Sequence, residues 1–93
     1  ICPICLRPIP DGVPQSLHHL IPKLKGGKGG PVVLVHHICH KEIHARFTEA
    51  ELARQFNTAE AIRADARMER FLHWIAKRPP EFISRVPGGR RKR

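Results

Sequence analysis

Ser16-Leu-His-His-Leu-Ile-Pro22 and Val35-His-His-Ile-Cys-His-Lys-Glu-Ile-His44 decide the reading of this chain, because six of its seven histidines lie in them. Imidazoles in such number are poor core material, since each brings a donor and an acceptor that a core must satisfy. They suit a divalent cation, for which imidazole nitrogen is a favoured ligand. The first stretch is expected to lie in a strand over residues 13–21, closed by Pro22. The β-branched run Val32-Val-Leu-Val35 is expected to be the returning strand, and a helix is expected from about Cys39 to Phe47.

Working outward, Cys2-x-x-Cys5 has the spacing of half a zinc site, and His36-x-x-Cys39 repeats that spacing after thirty intervening residues. A Cys3His set suits tetrahedral zinc, and a closed site of this kind contributes directly to folding. His37 competes for the fourth place but breaks the two-residue spacing. With these assigned, His18, His19, His40 and His44 remain. His40 and His44 are i and i+4 on the expected helix and share a face, so they can chelate one ion. Adjacent strand residues point to opposite faces. One of His18 and His19 therefore turns to the ion, and the other stays free as a base. Three nitrogens on an ion with open positions is a catalytic arrangement.

The rest of the chain frames these clusters. Residues 1–10 read as a knuckle, Asp11-Gly12 as a turn, and Lys23 to Pro31 as a basic glycine-rich loop whose N–H and ammonium groups can approach a phosphate. Thr48-x-x-Glu51 is a capping box, placing a helix from there to about Phe56. Thr58 is expected to cap a short helix to Ala64. A last helix, roughly 66–78, carries Met68, Phe71, Leu72 and Ile75 as an apolar stripe before Pro79-Pro80 stops it.

Ninety-three residues with one Trp, four Phe and no Tyr make one small domain that benefits from a metal staple. Three cysteines, an odd count, argue against a disulfide framework. Free thiols and the lack of a leader lead us to expect a cytoplasmic location, and no apolar run is long enough to span a membrane. The net charge of +9 is uneven: residues 1–47 carry +4, residues 48–76 carry −1 and residues 77–93 carry +6. A basic front and tail around a near-neutral middle imply a polyanionic partner, with nucleic acid favoured.

Cys-x2-Cys, His-His-Leu-Ile-Pro, a Lys/Gly loop, a strand and then x2-Cys-His-x3-His together resemble the zinc-bearing branch of the HNH endonucleases. The resemblance covers residues 2–47. It implies an α+β chain with a ββα-metal module at 1–47 stapled by structural zinc. Residues 48–93 carry no assignable motif; their own patterning reads as a helical extension at 48–78 packed on the module within the same domain, then a basic, disordered tail at 79–93. By the resemblance, His19 matches the general base, His18 the metal ligand before it, and His40 the closing histidine. His44 matches the extra ligand of the colicin-like nucleases. Cys2, Cys5 and Cys39 match the structural zinc ligands, and His36 stands where a fourth Cys is usual.

The activity implied is metal-dependent hydrolysis of DNA phosphodiesters with weak sequence preference, leaving 5′-phosphate ends. The cofactors implied are structural Zn²⁺ and one catalytic divalent cation (Mg²⁺, Mn²⁺, Ni²⁺ or Zn²⁺). The expected partner is DNA, double-stranded in preference to RNA, with no membrane and no small-molecule cofactor. Lys23, Lys25, Lys28, Lys41 and Arg46 are the candidates for phosphate contacts. One departure stands out: the family's middle Asn, nine residues before the closing His, is here Pro31, and the chain's only Asn is Asn57. Either His44 takes a ligand role that Asn fills elsewhere, or the fixed φ of proline takes over part of a loop-pinning role. Two rival readings are a non-catalytic zinc module that binds nucleic acid and the nuclease domain of a secreted toxin.

Overall fold

The computed structural model describes residues 1–22 and 29–82. The chain opens with a knuckle in which Leu6 N–H donates to the Cys2 carbonyl (2.8 Å) and Cys2 N–H to the Arg7 carbonyl (2.9 Å). These two bonds curl the backbone around Ile4, which is fully buried. The curl forces Leu6 to a φ of 64°, a left-handed conformation that costs a residue with a Cβ about 1–2 kcal/mol. Gly12 takes a φ of 86° in the Asp11-Gly12 turn, where glycine bears no such cost.

Two strands follow, β1 (Gln15–His19) and β2 (Val32–His36), paired antiparallel with Leu17 opposite Leu34 and His18 opposite Val33. Alternation divides the hairpin. Leu17, Val32 and Leu34 are exposed on the outer face, while His18 and Val35 are buried on the inner one. The regular strand is shorter at both ends than the expected span of 13–21. Beyond it, Leu20 N–H still donates to the Pro31 carbonyl (3.2 Å), which carries the pairing one rung further.

Helix α1 (His37–Arg46) leaves β2 without an intervening loop, two residues before the expected start at Cys39. No side chain caps it. Its first N–H is satisfied instead by the carbonyl of Pro14, a partner 23 residues away that no local cue announces. Cys39 and Ile43 form its buried edge.

The capping box at Thr48 and Glu51 is present and starts α2 (Glu49–Arg54). Thr58 caps α3 (Ala59–Ala64). Asp65 ends α3 and caps α4 (Ala66–Ile75), so one side chain makes the corner between them. Helix α4 ends three residues short of 78 and continues as a tighter turn, with Lys77 and Arg78 donating to the carbonyls of Trp74 and Ile75. Met68, Phe71 and Ile75 are buried in one core with Ile4, Val35 and Ile43, so the helical part and the cysteine- and histidine-bearing front share their interior. Arg67 fastens the two parts from outside. Its guanidinium lies 4.2 Å from the Phe47 ring, donates to the Arg46 carbonyl and pairs with Glu51 and Asp65. Residues 79–82, read as the start of the tail, fold back instead: Phe82 is partly buried and meets Trp74 edge to face. The remainder of that tail, 83–93, lies outside the described residues. No helix among the described residues is long and apolar enough to cross a membrane.

Candidate metal centres

Among the described residues the fold brings together two sets of side chains that could ligate a metal. In the first, Cys2 and Cys5 come from the knuckle, His36 from the end of β2 and Cys39 from the first turns of α1. All four are buried, and their ligand atoms lie within 4.8 Å of one another. Cys5 Sγ and His36 Nδ1 are 3.3 Å apart. Tetrahedral zinc with ordinary Zn–S and Zn–N bonds sets that edge at about 3.5 Å, so the donors fit. His36 Nε2 donates to the Pro80 carbonyl (2.9 Å), which fixes the tautomer and leaves Nδ1 as the ligating nitrogen. His37 lies exposed at the head of α1, which leaves His36 as the fourth member.

Without an ion the three thiols compete for protons. Cys5 is held far below the usual thiol range, chiefly by hydrogen bonds with Cys2 and then Cys39. Cys39 is pushed far up by the same contacts and by burial. Crowding of this kind is resolved when one dication replaces the shared protons. Arg7, itself buried, donates from Nε to Cys5 Sγ (3.2 Å).

The second set is His18 from β1 with His40 and His44 from α1. Ring centroids are 5.3 Å apart for His18–His40, 5.5 Å for His18–His44 and 4.8 Å for His40–His44. One nitrogen from each lies within 4.8 Å of the others. His18 is 1 % exposed, and among the described residues neither of its ring nitrogens has a hydrogen-bond partner. A buried imidazole with both nitrogens unmet is costly, and a cation at the mouth of the cluster removes part of that cost. Burial, followed by the neighbouring rings of His40 and His44, lowers the His18 pKa from 6.5 to about 4. His40 is lowered for the same reasons, burial first and then His44. Both therefore favour the neutral form that ligates a metal. Ser16 Oγ sits 2.7 Å from His40 Nδ1 and leaves Nε2 for the ion. His44 is exposed, so the cluster opens to solvent on that side.

The packing of one sheet face on α1 settles the ambiguity of the adjacent pair. His18 faces inward to the cluster, and His19 belongs to the other face, half-buried beside Val32. His19 is still near enough for its charge to act on both His18 and His40. Of the candidate phosphate contacts, Lys41 is exposed on α1. Arg46 is occupied within the fold, by Glu42 and by the Arg67 carbonyl. Lys23, Lys25 and Lys28 lie outside the described residues. Sequence reasoning passed over Ser16 and Arg7. Ser16 had a usable signal, since it lies two residues before His18 on the same strand face; Arg7 had none.

Fold and sites define a small α+β protein with, among the described residues, a two-stranded antiparallel sheet, four helices and a Cys3His cluster compatible with a zinc-binding module. It is 42 % identical over 83 residues to the uncharacterized protein YisB of Bacillus subtilis (strain 168), an alignment covering 89 % of this chain and 80 % of YisB. The chain belongs to the family of YisB. No protein-family model matches the chain, and no solved structure matches it.

Proposed function

We propose that this protein is a metal-dependent endonuclease of the HNH type, with the hairpin and α1 forming its ββα-metal module. The observation that carries the reading is His18, buried with both nitrogens unmet and facing His40 and His44 at ligating distance. In this reading His18, His40 and His44 hold a divalent cation, which when bound supplies positive charge to a non-bridging phosphate oxygen and to the departing 3′ oxygen.

The protein's own residues do the rest. His19 takes a proton from a water in line with the scissile phosphodiester, and the hydroxide attacks phosphorus. Ser16 engages Nδ1 of His40 and leaves Nε2 to ligate. Pro31 occupies the position of the family's Asn, and its carbonyl accepts from Leu20, the residue after the base. Backbone bonding there supports a loop-pinning role that needs no amide side chain. Lys41 lies exposed on the helix and is available to the phosphate backbone, so affinity should depend on salt more than on sequence.

The missing Asn also favours a second reading, a zinc-stabilised module that binds nucleic acid without cutting it. Plasmid nicking separates the two. Protein carrying its sulfur-bound zinc is supplied with Mg²⁺, Mn²⁺, Ni²⁺ or further Zn²⁺, with EDTA as the control. The nuclease reading expects nicking with at least one ion and a loss of about 10²–10⁴ in rate for His19→Ala, with fold and DNA affinity unchanged. Binding without nicking under all four ions establishes the second reading.

A further inference from the structure

Arg7 is 7 % exposed, and among the described residues it meets no carboxylate. A buried guanidinium without an anion is a large penalty. The negative charge within its reach is sulfur: Nε donates to Cys5 Sγ at 3.2 Å. A dication with three thiolates and one neutral imidazole carries one net negative charge, which a single guanidinium balances. The other end of Arg7 reaches across 71 residues, where Nη1 donates to the carbonyl of Arg78 (3.3 Å) and to that of Pro79. His36 does the same from its own side, with Nδ1 toward Cys5 and Nε2 on the carbonyl of Pro80. Three successive carbonyls, 78 to 80, are thus held by two side chains that both touch the sulfur-rich site.

The segment is anchored on its outer side as well. The Arg78 guanidinium lies 4.7 Å from the Trp74 ring and 5.8 Å from that of Phe82, and Phe82 meets Trp74 at 5.5 Å. Pro79 and Pro80 restrict the backbone between these contacts, so the carbonyls are presented with little conformational entropy left to lose.

We propose that residues 78–82 and the Cys2–Cys5–His36–Cys39 site form one latch, in which Arg7 is the positioning residue that couples metal retention to the docking of the chain's C-terminal segment. A loaded site presents the charge that holds Arg7, and Arg7 holds the segment. The docked segment in turn fixes the His36 tautomer and covers the sulfurs. Such coupling is reciprocal: the factor by which the docked segment raises metal affinity is the factor by which bound metal favours docking.

The test uses the full zinc-loaded chain and no nucleic acid. Zinc transfer to a chromogenic chelator, cleavage after Glu81 by a glutamate-specific protease, and acrylamide quenching of the single Trp74 are measured on wild type, Arg7→Met and the double variant Pro79→Gly/Pro80→Gly. Both variants are expected to speed zinc transfer about 10- to 100-fold, the usual range for loss of a group supporting a metal ligand. Cleavage after Glu81 and Trp74 quenching should rise with it while helix content stays unchanged. The double glycine variant decides the matter, since it leaves every buried charge in place even if Arg7→Met fails to fold. Wild-type zinc transfer in that variant overturns the latch, as does unchanged Glu81 protection in a folded Arg7→Met protein.

Discussion

Replacing His18 with leucine should stabilise the protein when no further divalent ion is present and lose nearly all of that advantage when one is. The native imidazole is 1 % exposed, with its donor and its acceptor both unmet. Each unsatisfied buried group costs about 1–3 kcal/mol. A leucine removes both penalties and fills nearly the same space, with about 1 kcal/mol lost to imperfect repacking. The net expectation is a gain of about 2 kcal/mol in protein pre-loaded with one zinc per chain and given no further ion. For a domain of this size that is a rise in Tm of about 8–16 °C.

An added ion acts the other way. At a concentration 100 times its Kd, a ligand stabilises the wild-type fold by about 2.7 kcal/mol. If losing one of three imidazoles weakens the site about 100-fold, the variant gains only about 0.4 kcal/mol under the same conditions. The assay is thermal unfolding with Ni²⁺ or Mn²⁺ titrated into protein pre-loaded with one zinc per chain. A His18→Leu protein less stable than wild type before any ion is added, or equally stabilised by the ion, refutes the assignment of His18 as a buried, unmet ligand.

Three further outcomes are expected. Below the ordinary histidine value of 6.5 the unfolded chain takes up a proton that folded His18, with its pKa near 4, refuses. Stability without an added ion should therefore fall as pH drops from about 6.5 to about 4, and His18→Leu should flatten that slope in urea titrations. Cys39→Ser removes a ligand from the middle of the core, so mass spectrometry under native conditions should find no retained zinc and circular dichroism a largely unfolded chain. Leu6→Gly relieves the left-handed backbone at an exposed position and should raise stability by about 1 kcal/mol; a loss on denaturant unfolding counts against strain in the knuckle.

Much of this molecule is written in short-range spacing. Cys2-x-x-Cys5 and His36-x-x-Cys39 are each a local geometry, and so is the i, i+4 pairing of His40 with His44. The capping box at Thr48 and the stripe through Met68, Phe71 and Ile75 depend only on the period of a helix. A residue's neighbours within one turn are dictated by backbone geometry, which is why such features can be read before folding is considered.

Long-range folding decided the rest. Which member of the His18–His19 pair enters the cluster depends on which sheet face meets α1, and strand alternation cannot say which face is inward. The early start of α1 rests on the distant Pro14 carbonyl, the tautomer of His36 rests on the Pro80 carbonyl 44 residues away, and His40 Nδ1 is engaged by Ser16, 24 residues away. Nothing local to Arg7 announces that the backbone carbonyls of Arg78 and Pro79 meet its guanidinium. Sequence alone thus named which side chains can bind an ion, because ligand spacing is local chemistry. Tertiary structure alone decided which nitrogens are left free to do so, because the groups that occupy the others arrive from parts of the chain that meet only on folding.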